Sequence, residues 1–210
     1  TGSTSNVEPG MLIVKELNGS ETRLALEDMD SRIQPCAKTE GIDFFSHCLF
    51  SPDGQRLLFL RRQSLPNQRL RSEMFCLDIT SGTVRRVGFD NMVSHYTWLG
   101  SDEVLAYANT EERGDGFYVV DIESGRVSDW TSRLNDRDGH PHATPCGDVV
   151  VFDTYPDRTR HQHLFIWGEG DERAQGVARL YSPMKFWGAS RVDLHPRVRE
   201  DGKYISFDAG

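Results

Sequence analysis

The chain has 210 residues, of which 37% are hydrophobic and 10% aromatic, with 19 Gly and 9 Pro. That length supports a sizeable core, and that composition describes a turn-rich globular chain rather than a disordered or fibrous one. The formal charge of −8 argues against a nucleic-acid partner, and no apolar run reaches the roughly 20 residues of a membrane helix, so neither nucleic acid nor membrane is expected as a partner.

The first six residues, Thr1 to Asn6, lack both an initiator Met and the apolar core of a signal peptide. At the other end, Ser206-Phe207-Asp208 reads as a strand with no partner strand after it, so the chain is expected to be a piece of a longer protein. Its compartment stays open between cytoplasm and periplasm. The stretch from Met11 to Leu24 reads as two strands. Four Cys follow along the chain (Cys36, Cys48, Cys76 and Cys146), with no Cys-x-x-Cys pair to suggest a zinc ribbon or redox motif. Cys48 and Cys76 sit in apolar runs and are expected to be buried thiols.

From residue 44 onward the sequence repeats itself. Segments beginning at His47, His95, His140 and His195 align without gaps, and each His stands seven residues before Gly54, Asp102, Gly147 or Gly202. An apolar run follows each turn: Leu57 to Leu60, Val104 to Tyr107, Val149 to Phe152 and Tyr204 to Phe207. This is a strand–turn–strand pattern. A third strand recurs at Met74 to Ile79, Tyr118 to Ile122 and Leu164 to Trp167, and a short fourth at Val84 to Val87 and Val127 to Trp130. The histidines are 48, 45 and 55 residues apart, which is the period of a four-stranded propeller blade. The fold class is therefore all-β, a partial β-propeller with approximate blades at 11–28 (half), 44–88, 92–131, 139–181 and 192–208 (half). About four blades' worth is present, expected to belong to a seven-bladed ring.

In a blade the first strand lines the central channel, and the loop between strands two and three opens on the same face. The repeat thus places the four histidines beside three segments expected to be loops, residues 61–71, 109–116 and 153–163. Imidazoles converging on one axis suit Zn or Mn, so His95, His140, His142 and His195 are the candidate metal ligands. His140-Pro141-His142 would put two imidazoles on one face of a strand. Arg61, Arg62, Arg69, Arg71, Arg158 and Arg160 would give the loops local positive charge suited to carboxylates. Tyr155, beside Pro156, is expected to pack or to donate a proton. One His by itself equally suits a buried hydrogen-bonding role, and His161 and His163 are expected at the surface.

The motifs Ser46 to Gly54, Ser94 to Trp98, Gly139 to His142, Asp153 to Asp157 and Asp193 to Arg197 resemble those of oligogalacturonate lyases and related propeller polysaccharide lyases, including ulvan lyases. The Ser51-Pro52-Asp53-Gly54 turn is also shared with Tol-type and peptidase-associated propellers. The resemblance covers residues 44 to 208. It implies a seven-bladed propeller that cleaves uronic-acid polymers by β-elimination. It implies manganese, held by one His and a Gln-x-x-His-x-His motif, which falls on His95, His140 and His142 with Arg137 at the Gln position. In ulvan lyases His, Tyr and Arg transfer protons and neutralise charge.

The expected function is β-elimination on an acidic oligosaccharide partner, assisted by a metal (manganese or zinc) or by Arg. His47, Tyr155, Arg158 and Arg160 are the candidate catalytic residues. Arg61, Arg62, Arg137 and Tyr96 are the candidate substrate-binding residues. The alternatives are a non-catalytic Tol-type platform for protein partners, and the propeller portion of a hydrolase, for which no Gly-x-Ser-x-Gly elbow is present.

Overall fold

A computed structural model describes residues 11–15, 19, 21–25, 43–65, 70–89 and 92–210. The readings made for residues 1–6, for Cys36 and Arg69, and for the half blade beyond residue 25 lie outside the described residues.

The described residues form antiparallel sheets of four strands, flanked by two-stranded ones. Strands β1 (Met11–Lys15) and β2 (Glu21–Ala25) make a hairpin. Strands β3 (Asp43–Phe50), β4 (Arg56–Ser64), β5 (Leu70–Asp78) and β6 (Val84–Arg86) pair in chain order. So do β7 (Val93–Leu99), β8 (Glu103–Thr110), β9 (Gly114–Asp121) and β10 (Val127–Asp129), and then β11 (His142–Ala143), β12 (Val149–Asp153), β13 (His161–Gly168) and β14 (Gln175–Tyr181). Strands β15 (Arg197–Val198) and β16 (Ile205–Ser206) form the last hairpin. Four-strand meanders of this kind are the blades expected from the repeat.

The chain divides into two compact units, one holding β1 to β6 and the other β7 to β16. In the first, Leu12 and Leu24 pack with Leu57, Phe59, Phe75, Leu77 and Val84. In the second, Leu105, Phe117, Val150, Phe152 and Trp167 form the centre of the core between two blades. Phe152 has no exposed surface, lies 5.5 Å from the Phe117 ring and stacks on Phe165 at 5.2 Å. The middle strands are covered on both faces, as in the buried run Val104 to Ala108, so they read as continuous apolar runs rather than alternating ones.

The turn glycines fall where the repeat places them. Gly54, Gly147 and Gly202 have φ of 71°, 76° and 70°, a left-handed backbone that favours Gly. At Gly147 a Cβ would also lie 3.1 Å from Leu99.

Two expectations need correction. Of the expected loops, residues 61–64 and 70–71 lie in strands, because β4 and β5 run on to pair Arg61 with Glu73, Arg62 with Ser72 and Gln63 with Arg71, and 109–116 is a short turn, because β8 and β9 pair out to Thr110 and Gly114. Polar residues continue a ladder as well as apolar ones when each faces a polar partner. Cys76 is buried as expected, but Cys48 is exposed, on the part of β3 where the pairing register shifts between Ser46 and Leu49.

Replacing Phe152 with Ala removes an aromatic ring from the centre of the second unit's core. The expected cost is about 3–5 kcal/mol, read as a lower denaturation midpoint with the β-sheet circular-dichroism signal retained before the transition.

Candidate functional site

The histidine position is built by an irregular backbone. In β3 and β7 the register shifts at Ser46/Leu49 and at Val93/Tyr96, so His47 and His95 lie in bulges. His47 has φ 56° and His195 φ 40°, both left-handed, and a bulge or left-handed residue re-aims a side chain that regular pleating would send elsewhere. His140 precedes β11, which packs against β7 on one side and β15 on the other. In the second unit this brings three imidazoles together. The His95 and His140 ring centroids are 4.2 Å apart, and so are those of His140 and His195. The Tyr155 ring stands 5.4 Å from His140 and 6.1 Å from His95.

Two of the three imidazoles have a carboxylate at hydrogen-bond distance from Nδ1. His95 Nδ1 lies 3.2 Å from Asp138 Oδ1, and Ser94 Oγ donates to Asp138 Oδ2 at 2.6 Å. His140 Nδ1 lies 2.9 Å from Asp153 Oδ1. His195 Nδ1 lies 3.7 Å from Asp208, a looser contact. A carboxylate at Nδ1 keeps the proton there and leaves the lone pair on Nε2, the arrangement found behind metal-bound histidines. The carboxylates follow the repeat. Asp153 and Asp208 stand thirteen residues after His140 and His195, and Asp138 and Asp193 stand two before them.

Asp193 completes the cluster. One ligand atom each from His140, Asp193 and His195 lies within 4.8 Å of the others. Arg191 Nε and Nη2 donate to Asp193 Oδ2 at 3.0 and 2.8 Å. Asp193 Oδ1 is 2.7 Å from Arg191 Nε but accepts no hydrogen bond, and it is buried. Both Asp193 oxygens thus face the Arg191 guanidinium. His195 is exposed, yet the desolvation on its inner side, with repulsion from His140 behind it, lowers its pKa from the usual imidazole value, which favours the neutral, ligating form. Two imidazoles and a carboxylate form a donor set for Zn or Mn.

Arg191, Asp193 and His195 fall at every second residue and meet the site, whereas Leu194 between them is buried at 1% exposure. The Arg191 guanidinium lies 4.6 Å over the Tyr155 ring. Burial, and then the charge of Asp138, push the Tyr155 phenol up to about 12. Beside Tyr155 a cleft of about 740 Å³ is lined by Arg137, Asp138, Thr154, Pro156, Asp157, Arg158 and Thr159. Two of the expected substrate and catalytic arginines, Arg137 and Arg158, therefore border open space next to the cluster.

Other candidates stand elsewhere. His142 is not among the three: its Nδ1 accepts the Val198 backbone N–H at 3.3 Å, joining β11 to β15, and burial with the nearby Arg197 charge lowers its pKa. Arg160, with φ 62°, donates to Ser182 O, Ser182 Oγ and Phe186 O at 2.9 to 3.2 Å, and so ties down the segment after β14 instead of meeting a substrate. Tyr96 is 8% exposed in β7 and belongs to the core. In the first unit, Arg61 is buried and pairs with Asp43 at 2.7 Å, while Arg62 faces Phe44 and Ser72 across β4. His47 is exposed there, in its own bulge. His161 and His163 surround Asp157 with Thr159, a half-buried network rather than plain surface.

Sequence reasoning missed Asp193, Asp153, Asp138 and Arg191. The signal was present: Asp-x-His occurs at both Asp138-Gly139-His140 and Asp193-Leu194-His195, and an Asp follows thirteen residues after each His.

No protein-family model matches the chain, and no curated protein matches it. Solved structures do. TolB from Acinetobacter baumannii superposes with a TM-score of 0.59 at 14% identity, over 94% of this chain and 42% of that one. An oligogalacturonate lyase in complex with manganese gives 0.56 at 10% identity, over 83% and 49%. The β-propeller domain of the Trilobed protease from Pyrococcus furiosus gives 0.51 at 14% identity, over 82% and 50%. The chain spans half or less of the length of these three structures, and at such identities the likeness is one of fold: its sheets are β-propeller blades.

Proposed function

We propose that the chain carries the site of a polysaccharide-lyase-like enzyme that cleaves uronic-acid-containing oligosaccharides by β-elimination. The observation that carries this reading is the convergence of His140, Asp193 and His195 beside a protonated Tyr155 and the Arg191 guanidinium. The likeness to an oligogalacturonate lyase structure agrees with it at the level of the blades.

β-Elimination removes the proton α to a carboxylate and expels the oxygen at the β carbon, leaving a carbon–carbon double bond. A divalent cation held by His140, Asp193 and His195 would supply Lewis acidity toward the substrate carboxylate. Arg191 adds a fixed positive charge next to it, and two of its donors are already oriented by Asp193. His95, with its proton held at Nδ1 by Asp138, has the Nε2 lone pair needed to accept the α proton. Tyr155 is the acid. A phenol pushed up to about 12 stays protonated at neutral pH and can deliver its proton to the leaving oxygen. Arg137 and Arg158 border the cleft in which neighbouring sugar carboxylates would lie.

The test is incubation of the protein with oligogalacturonate and with ulvan, with and without added Mn²⁺, following the ultraviolet absorbance of the unsaturated uronate. Appearance of that absorbance supports the reading. No absorbance with either polymer, together with no bound metal by elemental analysis, sinks it in favour of a non-catalytic, Tol-type platform.

In that assay Tyr155→Phe is expected to lower kcat by about 10²-fold or more, with little change in KM. The same residue has a signature in stability. Its folded pKa lies above the unfolded value of 10, so its contribution is full below pH 10 and is lost as pH rises toward 12. Tyr107, also pushed up to about 12 by burial and Asp138, behaves alike. Denaturation midpoints measured from pH 9 to 12 should therefore fall less steeply in Tyr155→Phe than in the parent protein, and spectrophotometric titration should show one fewer late-ionising phenol.

A further inference from the structure

The metal reading above names His140, Asp193 and His195 but leaves unexplained what sets their spacing. Asp153, the last residue of β12, lies beneath them with no exposed surface. Its Oδ1 accepts the His140 backbone N–H at 2.6 Å and lies 2.9 Å from His140 Nδ1. Its Oδ2 accepts the backbone N–H groups of Leu194 and His195 at 3.1 and 3.2 Å. One carboxylate thus holds the ring and backbone of one cluster imidazole and the backbone of the other. The two belong to successive hairpins, 55 residues apart in sequence.

We infer that Asp153 is the positioning residue of the site: it fixes the tautomer of His140 and the separation of His140 from His195, and thereby the affinity for a divalent cation. The packing and the repeat agree with that role. Gly139 has no room for a side chain, since a Cβ there would lie 1.8 Å from the Asp153 carbonyl oxygen, so the chain before His140 is pressed against Asp153. Thirteen residues after His47 and His95 stand Leu60 and Ala108, both fully buried, and thirteen after His195 stands Asp208, which is exposed; among the described residues Asp153 is the one carboxylate buried at this position of the repeat.

The inference rests on the metal reading of the site, not on the lyase reading. Its test is Asp153→Asn, which keeps the shape but turns an NH₂ toward backbone donors. Mn²⁺ and Zn²⁺ are titrated into parent and variant by calorimetry. The expected result is binding about 10- to 100-fold weaker in the variant, the usual cost of losing a carboxylate behind a ligating histidine. Equal affinity in a folded variant overturns the inference while leaving the metal site standing. If neither ion binds the parent protein, the metal reading fails, and the inference fails with it.

Because Asp153→Asn risks misfolding, a second measurement uses the parent protein alone. Long-range ¹⁵N–¹H correlation of the histidine rings should show His140 as the Nδ1–H tautomer at neutral pH. An Nε2–H tautomer at His140 overturns the assignment whatever the variant does. Neither readout depends on cleavage of any sugar, so a lack of lyase activity with normal metal binding would count against the proposed reaction and not against Asp153.

Discussion

A carboxylate with no surface in water keeps its charge only where donors surround it, and leaving one unmet costs several kcal/mol. Asp153 is in that position, and the N–H groups that meet it come from two hairpins far apart in the chain. Satisfying the charge therefore fixes geometry. The hairpin that begins at His140 and the one that begins at His195 must approach until both reach the same side chain. The 4.2 Å spacing of their rings is the result. Packing of Leu105, Phe117 and Phe152 holds the blades together without direction, whereas the Asp153 hydrogen bonds are directional and set where the rings stop.

The site's chemistry follows from strand periodicity applied to irregular backbone. Asp153 and Tyr155 are two residues apart, and so are Arg191, Asp193 and His195. Both segments leave regular pairing with alternate residues still facing one way. Burial that suits a core residue becomes useful here because it acts in opposite senses on different groups. It raises the Tyr155 pKa and lowers that of His195, while hydrogen bonds from His140 lower that of Asp153 against it.

Much of the blade pattern was legible in the sequence because it is local. Glycines at Gly54, Gly147 and Gly202 make turns within a few residues, and the apolar runs after them become the covered middle strands. The histidine register was legible for the same reason. Arg61 was misread as loop charge because its partner, Asp43, sits on the neighbouring strand, and a pairing of that kind leaves no trace in local composition. His142 was misread because two residues on a strand share a face only where the strand is regular, and His140 stands just outside β11. Asp193 and Asp153 were readable in principle. They recur at fixed offsets from a histidine, but acidic residues are so common in turns that only the repeat distinguishes these.

The carboxylate shared between hairpins has a mechanical side. Neighbouring blades slide past one another more easily than they separate, because apolar side chains resist gaps but tolerate shear. In this unit, shear of one blade against the next would stretch the bonds from Asp153 to Leu194 and His195, and would change the distance between two imidazoles by the same amount. Were a cation held there as proposed, its grip and the alignment of the blades would be one coordinate: the ion would act as a rivet, and a force that shifts the blades would loosen it.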